Sequence, residues 1–137
     1  MITDRLSQAI VALHERLLSW EHDVAREKGL TVPQTHTLGC LAMHGPLPMK
    51  QLASYMGTTT GTVTVLIDRL EAKGFVERHP NERDKRSTLV SLTALGQDLY
   101  EGHARRHREM TARLMAPLAP DQRAALLDYL ETITRPV

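Results

Sequence analysis

Five threonines crowd around one glycine in "GTTTGTVTVLIDRLEAKG", residues 57 to 74. Thr58, Thr59, Thr60, Thr62 and Thr64 flank Gly61, and the run from Leu66 to Lys73 behind them is an ordinary helix sequence. The front half alternates like a strand, but Val63, Leu66, Ile67 and Leu70 fall at i, i+3, i+4 and i+7, one face of a helix, and Gly74 suits the position just past its end. The pattern predicts a helix with Thr58 or Thr59 as N-cap. Capping needs one hydroxyl, and each further threonine costs a few tenths of a kcal/mol in propensity. Hydroxyls at a helix N-terminus, with its free N–H groups and positive dipole end, suit phosphate oxygens and base edges. Gly61 permits close backbone approach, Val65 can touch a thymine methyl, and Arg69 can reach a phosphate. The bland alternative is that these threonines are caps alone.

A second cluster follows at once. Arg78, Arg83, Lys85 and Arg86 stand against Glu82 and Asp84 in and beside the polar stretch "HPNERDKRST". Such runs are usually solvated loops. This one lies between two short runs, Phe75–Arg78 and Leu89–Leu92, that read as strands, so a hairpin presents it. Asp84 beside Lys85 and Arg86 can steady an arginine for a narrow minor groove.

The elements that must position these residues are mostly helices. Ile2, Leu6, Ile10, Leu13, Leu17 and Val24 recur at helical spacing up to Gly29, a single stripe with little local core to cover. Thr31 and Gln34 form a capping box for a helix to about His44. Pro48 sits in the first turn of a short helix, Met49 to Tyr55, and Gly57 breaks the chain before the threonines. Thr93 caps a helix striped with Leu95, Leu99, His103, His107, Met110 and Leu114, ended by Pro117. Pro120 opens a last helix carrying Leu126, Leu127, Leu130 and Ile133.

Helix, short helix, glycine turn, helix, strand, basic loop and strand make the winged helix-turn-helix order, whose third helix enters the major groove. The expected fold is mainly α with a small β-hairpin wing. It is one domain over residues 1–137, with residues 31–92 as the DNA-binding part and residues 2–30 and 93–137 as dimerisation helices. Its 42% hydrophobic residues, 24% charged residues and net charge of +1 are ordinary for a globular chain, so only local patches announce a nucleic-acid partner. No apolar run reaches the roughly 18–20 residues of a membrane span. Met1 to Leu6 lacks the order of a signal peptide, and the single Cys40 rules out an internal disulfide, so the expectation is cytoplasmic. The chain carries no His-Glu-x-x-His, Gly-x-Ser-x-Gly or phosphate-binding glycine loop, which argues against an enzyme.

Residues 52–96, "LASYMGTTTGTVTVLIDRLEAKGFVERHPNERDKRSTLVSLTALG", resemble the DNA-binding core of the MarR family of bacterial transcriptional regulators. The signature is Asp84-Lys85-Arg86 followed by Leu92-Thr93-Ala94-Leu95-Gly96, with "LEAKGFVER" matching the helix-to-strand junction. With the flanking helices the resemblance covers essentially the whole chain. It implies a homodimer with intertwined terminal helices, bound to a pseudo-palindromic operator on double-stranded DNA, usually as a repressor relieved by a small-molecule or metal effector. Val65 stands where relatives often carry a basic or polar residue, so base preference does not carry over. A winged helix used for protein–protein contact is the competing function.

Three sensing modes are open. His103 and His107, at i and i+4, can reach one metal. The resemblance to zinc-uptake regulators of the family adds His36 in the second helix, with Glu21, His22 or Asp23 near a fourth position. No cofactor is required, zinc being possible. This chain lacks the histidine run of those regulators, and the plain alternative is that these histidines are hydrogen-bonded and metal-free. Cys40 lies mid-helix, away from the family's peroxide-sensing position, and reads as a small buried hydrophobe. A small aromatic effector in a cleft lined by Trp20 and Tyr100 is the third mode.

Overall fold

The computed structural model describes residues 1–136, which gather into two compact units, residues 1–101 and the residues from 102 onward. The order of elements is α1 (Ile2–Glu27), α2 (Val32–His44), β1 (Leu47–Pro48), α3 (Met49–Met56), α4 (Thr60–Ala72), β2 (Val76–Pro80), β3 (Thr88–Leu92), α5 (Ala94–Met115) and α6 (Pro120–Thr134). The boundary between the units falls within α5.

The core of the first unit is where α2, α3 and α4 meet a small sheet. Leu52 of α3, Val63, Ile67 and Leu70 of α4, and Val90 of β3 are fully buried, with Leu38 and Leu41 of α2 and Val76 of β2 nearly so. Removing each such side chain from water stabilises the unit by about 1.5–3 kcal/mol. Leu66, expected on the same face, is only half-buried. The face of α4 is therefore narrower than its periodicity suggested.

Caps set the helix ends. Thr31 Oγ1 accepts from the Gln34 N–H at 3.3 Å while Gln34 Oε1 accepts from the Thr31 N–H at 3.0 Å, the reciprocal box that opens α2. Gly57, at φ 65°, closes α3 in the left-handed region where a side chain is strained. Thr93 stitches α4, β2 and α5 together. Its hydroxyl donates to the Gly74 carbonyl and accepts from the Gly96 N–H, and its own N–H donates to the Phe75 carbonyl at 3.1 Å.

Three expectations need correction. The sheet has three strands, ordered β1-β3-β2, because Leu47 and Pro48 pair antiparallel with Val90 and Leu89. Pro48 is consequently the extended N-cap of α3, at φ −64° and ψ 150°, rather than a residue of its first turn. The hairpin loop is also shorter than "HPNERDKRST", since β2 and β3 pair out to Pro80 and Thr88 and leave only residues 81–87 unpaired.

The long first helix has a different character. Of its residues only Val24 and Ala25 are buried, while Ile2, Leu6, Ile10, Val11 and Leu13 are exposed. In the second unit, Arg123 Nε donates to the carbonyls of Met115 and Leu118 and closes the turn between α5 and α6. No residue of α6 is buried, and Leu127, Tyr129, Leu130 and Ile133 are exposed. Among the described residues no helix is long and apolar enough to cross a membrane.

Candidate nucleic-acid interface

The threonine cluster resolves into distinct roles. Thr59 is the N-cap of α4, its Oγ1 accepting from the Thr62 N–H at 3.2 Å and donating to Thr62 Oγ1 at 3.1 Å. Thr64 donates to the Thr60 carbonyl at 2.8 Å, so its proton stays within the helix. Thr58 is half-buried and its N–H closes the Gly57 turn on the Ala53 carbonyl. Phosphate oxygens only accept hydrogen bonds, so a hydroxyl must donate to reach them. Thr60 and Thr62 are the exposed threonines of α4 whose hydroxyl protons meet no acceptor among the described residues.

Gly61 is not required by the fold. Its φ is not positive, and an added Cβ would meet only Thr59 Oγ1 at an ordinary 3.9 Å. Val65 is 51% exposed, and Arg69 is exposed with no ion pair among the described residues. Thr60, Gly61, Thr62, Thr64, Val65 and Arg69 are all exposed on α4, and Gly61, Val65 and Arg69 lie on the side opposite Val63, Ile67 and Leu70.

The wing loop is tied by its own side chains. Asn81 Oδ1 accepts from the Arg83 N–H at 3.1 Å, and Asn81 Nδ2 donates to Ser87 Oγ at 2.8 Å. Asp84 Oδ1 accepts from the Arg86 N–H at 3.0 Å, so Asp84 holds Arg86 through the backbone and not through its guanidinium. The side chains of Arg83, Lys85 and Arg86 are exposed and form no ion pair among the described residues.

Arg78 behaves differently from the other basic residues counted with the loop. Its guanidinium donates to Asp68 and, at 2.7 Å, to Glu71, and its N–H donates to Glu71 Oε2 at 3.1 Å. The hydrogen bond to Asp68, opposed by partial burial and then joined by Glu71, raises the affinity of the guanidinium for its proton. Sequence reading missed this arrangement. The available signal was a pair of carboxylates three residues apart on the open side of α4.

The sensing candidates fall in three places. His36 Nε2 lies 3.5 Å from Glu21 Oε2, and Asp23 pairs with Arg26 at 2.8 Å. His103 and His107 meet edge to face with ring centres 6.1 Å apart. Among the described residues no group of three or more His, Cys, Asp or Glu side chains is placed to hold a metal ion. Trp20 and Tyr100 are both half-buried, and the Tyr100 ring lies over Gly39, 3.3 Å from where a Cβ would stand. Cys40 is half-buried, and desolvation pushes its thiol pKa up, which disfavours the reactive thiolate.

Residues 30–88 match the sequence model of the MarR family. The chain is 32% identical over 106 residues to the HTH-type transcriptional regulator YfiV of Bacillus subtilis, covering 77% of this chain and 66% of that one. It is 33% identical over 102 residues to the multiple antibiotic resistance protein MarR of Salmonella typhimurium, covering 74% of this chain and 70% of that protein. Among solved structures, a single-substitution mutant of MarR from E. coli complexed with operator DNA superposes with a TM-score of 0.76 at 26% identity, over 96% of this chain and 94% of that one. With its winged helix-turn-helix core and these likenesses, the chain belongs to the MarR family of transcriptional regulators.

Proposed function

We propose that the protein is a homodimeric, cytoplasmic transcriptional repressor that binds a pseudo-palindromic operator on double-stranded DNA and releases it on binding an effector. The recognition helix α4 enters the major groove, with Thr60, Gly61, Thr62, Thr64, Val65 and Arg69 toward the DNA and Thr58 and Thr59 shaping its start. Arg83, Lys85 and Arg86 of the wing grip the flanking backbone or minor groove, with Asp84 setting the course of the loop. One observation carries this reading. A glycine that the fold does not need, on the same side of α4 as exposed Arg69, sits between two exposed threonines whose hydroxyl protons meet no acceptor among the described residues. A close external surface that accepts hydrogen bonds and attracts cations accounts for all four residues, and a phosphate backbone is such a surface.

The dimer rests on the exposed apolar stripe of α1 and the exposed apolar residues of α6, which leave too much apolar surface for a chain alone in water. The effector is a small molecule, and the half-buried Trp20 and Tyr100 are the aromatic side chains offered to it.

The test is fluorescence anisotropy on labelled fragments from upstream of the protein's own gene, across a salt series and with an Arg86→Ala variant. Neutralising about 6–10 phosphates per dimer gives a steep fall of affinity with salt. Arg86→Ala costs about 1–3 kcal/mol of operator binding. Flat salt dependence favours a protein-contact role for the winged helix, and unchanged affinity in Arg86→Ala removes the wing grip.

A further inference from the structure

Asp68 and Glu71 pose a difficulty for a helix that meets DNA. Both are exposed on α4, and a carboxylate beside phosphate is repelled. Both are instead turned onto one arginine of another element, Arg78, near the middle of β2, where it pairs with Val90 of β3. The Arg78 side chain is 27% exposed, and three hydrogen bonds join it and its backbone N–H to the two carboxylates. A planar guanidinium donating to two separate carboxylates fixes orientation as well as distance, which a lysine ammonium does not.

The position along the strand gives this contact leverage. The loop with Arg83, Lys85 and Arg86 begins three residues beyond Arg78, roughly 10 Å farther at about 3.3 Å per residue. A small rotation of β2 against α4 at Arg78 therefore moves the loop tip by a larger distance.

We propose that Arg78 is a positioning residue for DNA recognition: by bridging Asp68 and Glu71 it locks the wing at a fixed angle to the recognition helix, and it touches no phosphate itself. The inference rests on the DNA-binding reading above and adds what holds its two contact surfaces in register. It also assigns a role to Asp68 and Glu71, which bind through Arg78 and not to DNA.

The experiment has two arms that fail separately. The first needs no DNA. Amide hydrogen exchange on the full-length protein compares wild type with Arg78→Met, which keeps the aliphatic stem, and with Arg78→Lys. The lock requires faster exchange in β2 and β3 of Arg78→Met, an intermediate effect in Arg78→Lys, and unchanged protection in α2. Unchanged exchange in the hairpin overturns the lock, as does faster exchange spread evenly over α2.

The second arm measures operator affinity for an Asp68→Asn, Glu71→Gln double variant. Electrostatics alone makes this variant bind tighter, since two negative charges near DNA are gone. The lock makes it bind roughly tenfold weaker and makes Arg86→Ala cost less in its background, because a wing already adrift has less to lose. Tighter binding, or an Arg86→Ala cost that simply adds, overturns the proposal. Absence of operator binding by wild type removes the DNA reading instead, and the exchange arm then decides the lock by itself.

Discussion

The carbonyl oxygen of Phe75 occupies the space where a side chain at Gly96 would begin. A Cβ there would lie closer to that oxygen than real Cβ atoms ever come, and the obstacle is backbone, held by the Thr93 N–H. The glycine of the Leu-Thr-x-x-Gly signature is thus explained by the start of α5 crossing the start of β2. Gly96→Ala is expected to destabilise the first unit by about 1–3 kcal/mol, the usual cost of forcing volume into a packed site. Urea unfolding measures it, and a midpoint equal to wild type contradicts the close approach.

Capping and contact separate at neighbouring threonines. Thr59→Ala removes the α4 cap and is expected to lower stability by about 1 kcal/mol. Thr60→Ala removes no cap and is expected to raise stability by a few tenths of a kcal/mol through better helix propensity. On the proposed reading Thr60→Ala nevertheless weakens operator binding. Thermal unfolding and anisotropy on the same two variants distinguish a fold role from a contact role, and equal behaviour of the pair defeats the distinction.

Cys40 gives a chemical prediction. Its thiol is half-buried and its pKa is raised by desolvation, so little thiolate forms near neutral pH. Its reaction with a disulfide reagent such as Ellman's is expected to be slower than that of an exposed thiol at pH 7, and to accelerate as pH rises toward the elevated pKa. Fast modification at pH 7 reinstates Cys40 as a redox candidate.

Ile10 tests the proposed dimer. It is 60% exposed on α1 and is not among the buried core residues. Ile10→Glu leaves the folded core intact but places a charge on a stripe that, in a dimer, is covered, and an uncompensated buried charge costs several kcal/mol. Sedimentation velocity is expected to find Ile10→Glu monomeric at concentrations where wild type is dimeric, with unchanged circular dichroism. A dimer that survives moves the interface elsewhere.

What was readable in the sequence divides along a physical line. The starts of α2 and α4 and the end of α3 were legible because the signals are local: Thr31 answers Gln34, Thr59 answers Thr62, and Gly57 supplies the left-handed φ. β1 was not legible. It is two residues long and exists only because Leu47 and Pro48 find Leu89 and Val90 far along the chain. Arg78 shows the same limit within the candidate site. Its sequence neighbours mark it as one more loop cation, whereas its partners lie on the preceding helix. His103 and His107 stand edge to face on one helix, and spacing along a single helix says nothing of ligands contributed by other elements.

The small sheet is also built so that it cannot grow. Its outer strands are β1 and β2, and each ends in a proline, Pro48 and Pro80, with no N–H to offer. On β2 the N–H of Arg78, two residues before Pro80 and pointing to the same side, is already given to Glu71. An incoming strand would find the outward donors of β2 missing or occupied from residue 78 to residue 80. Copies crowded side by side at high local concentration therefore find few donors along this edge with which to zip wing to wing into a continuous ribbon. Keeping the protein from self-association through its sheet edges falls to the same proline and carboxylate that shape the wing.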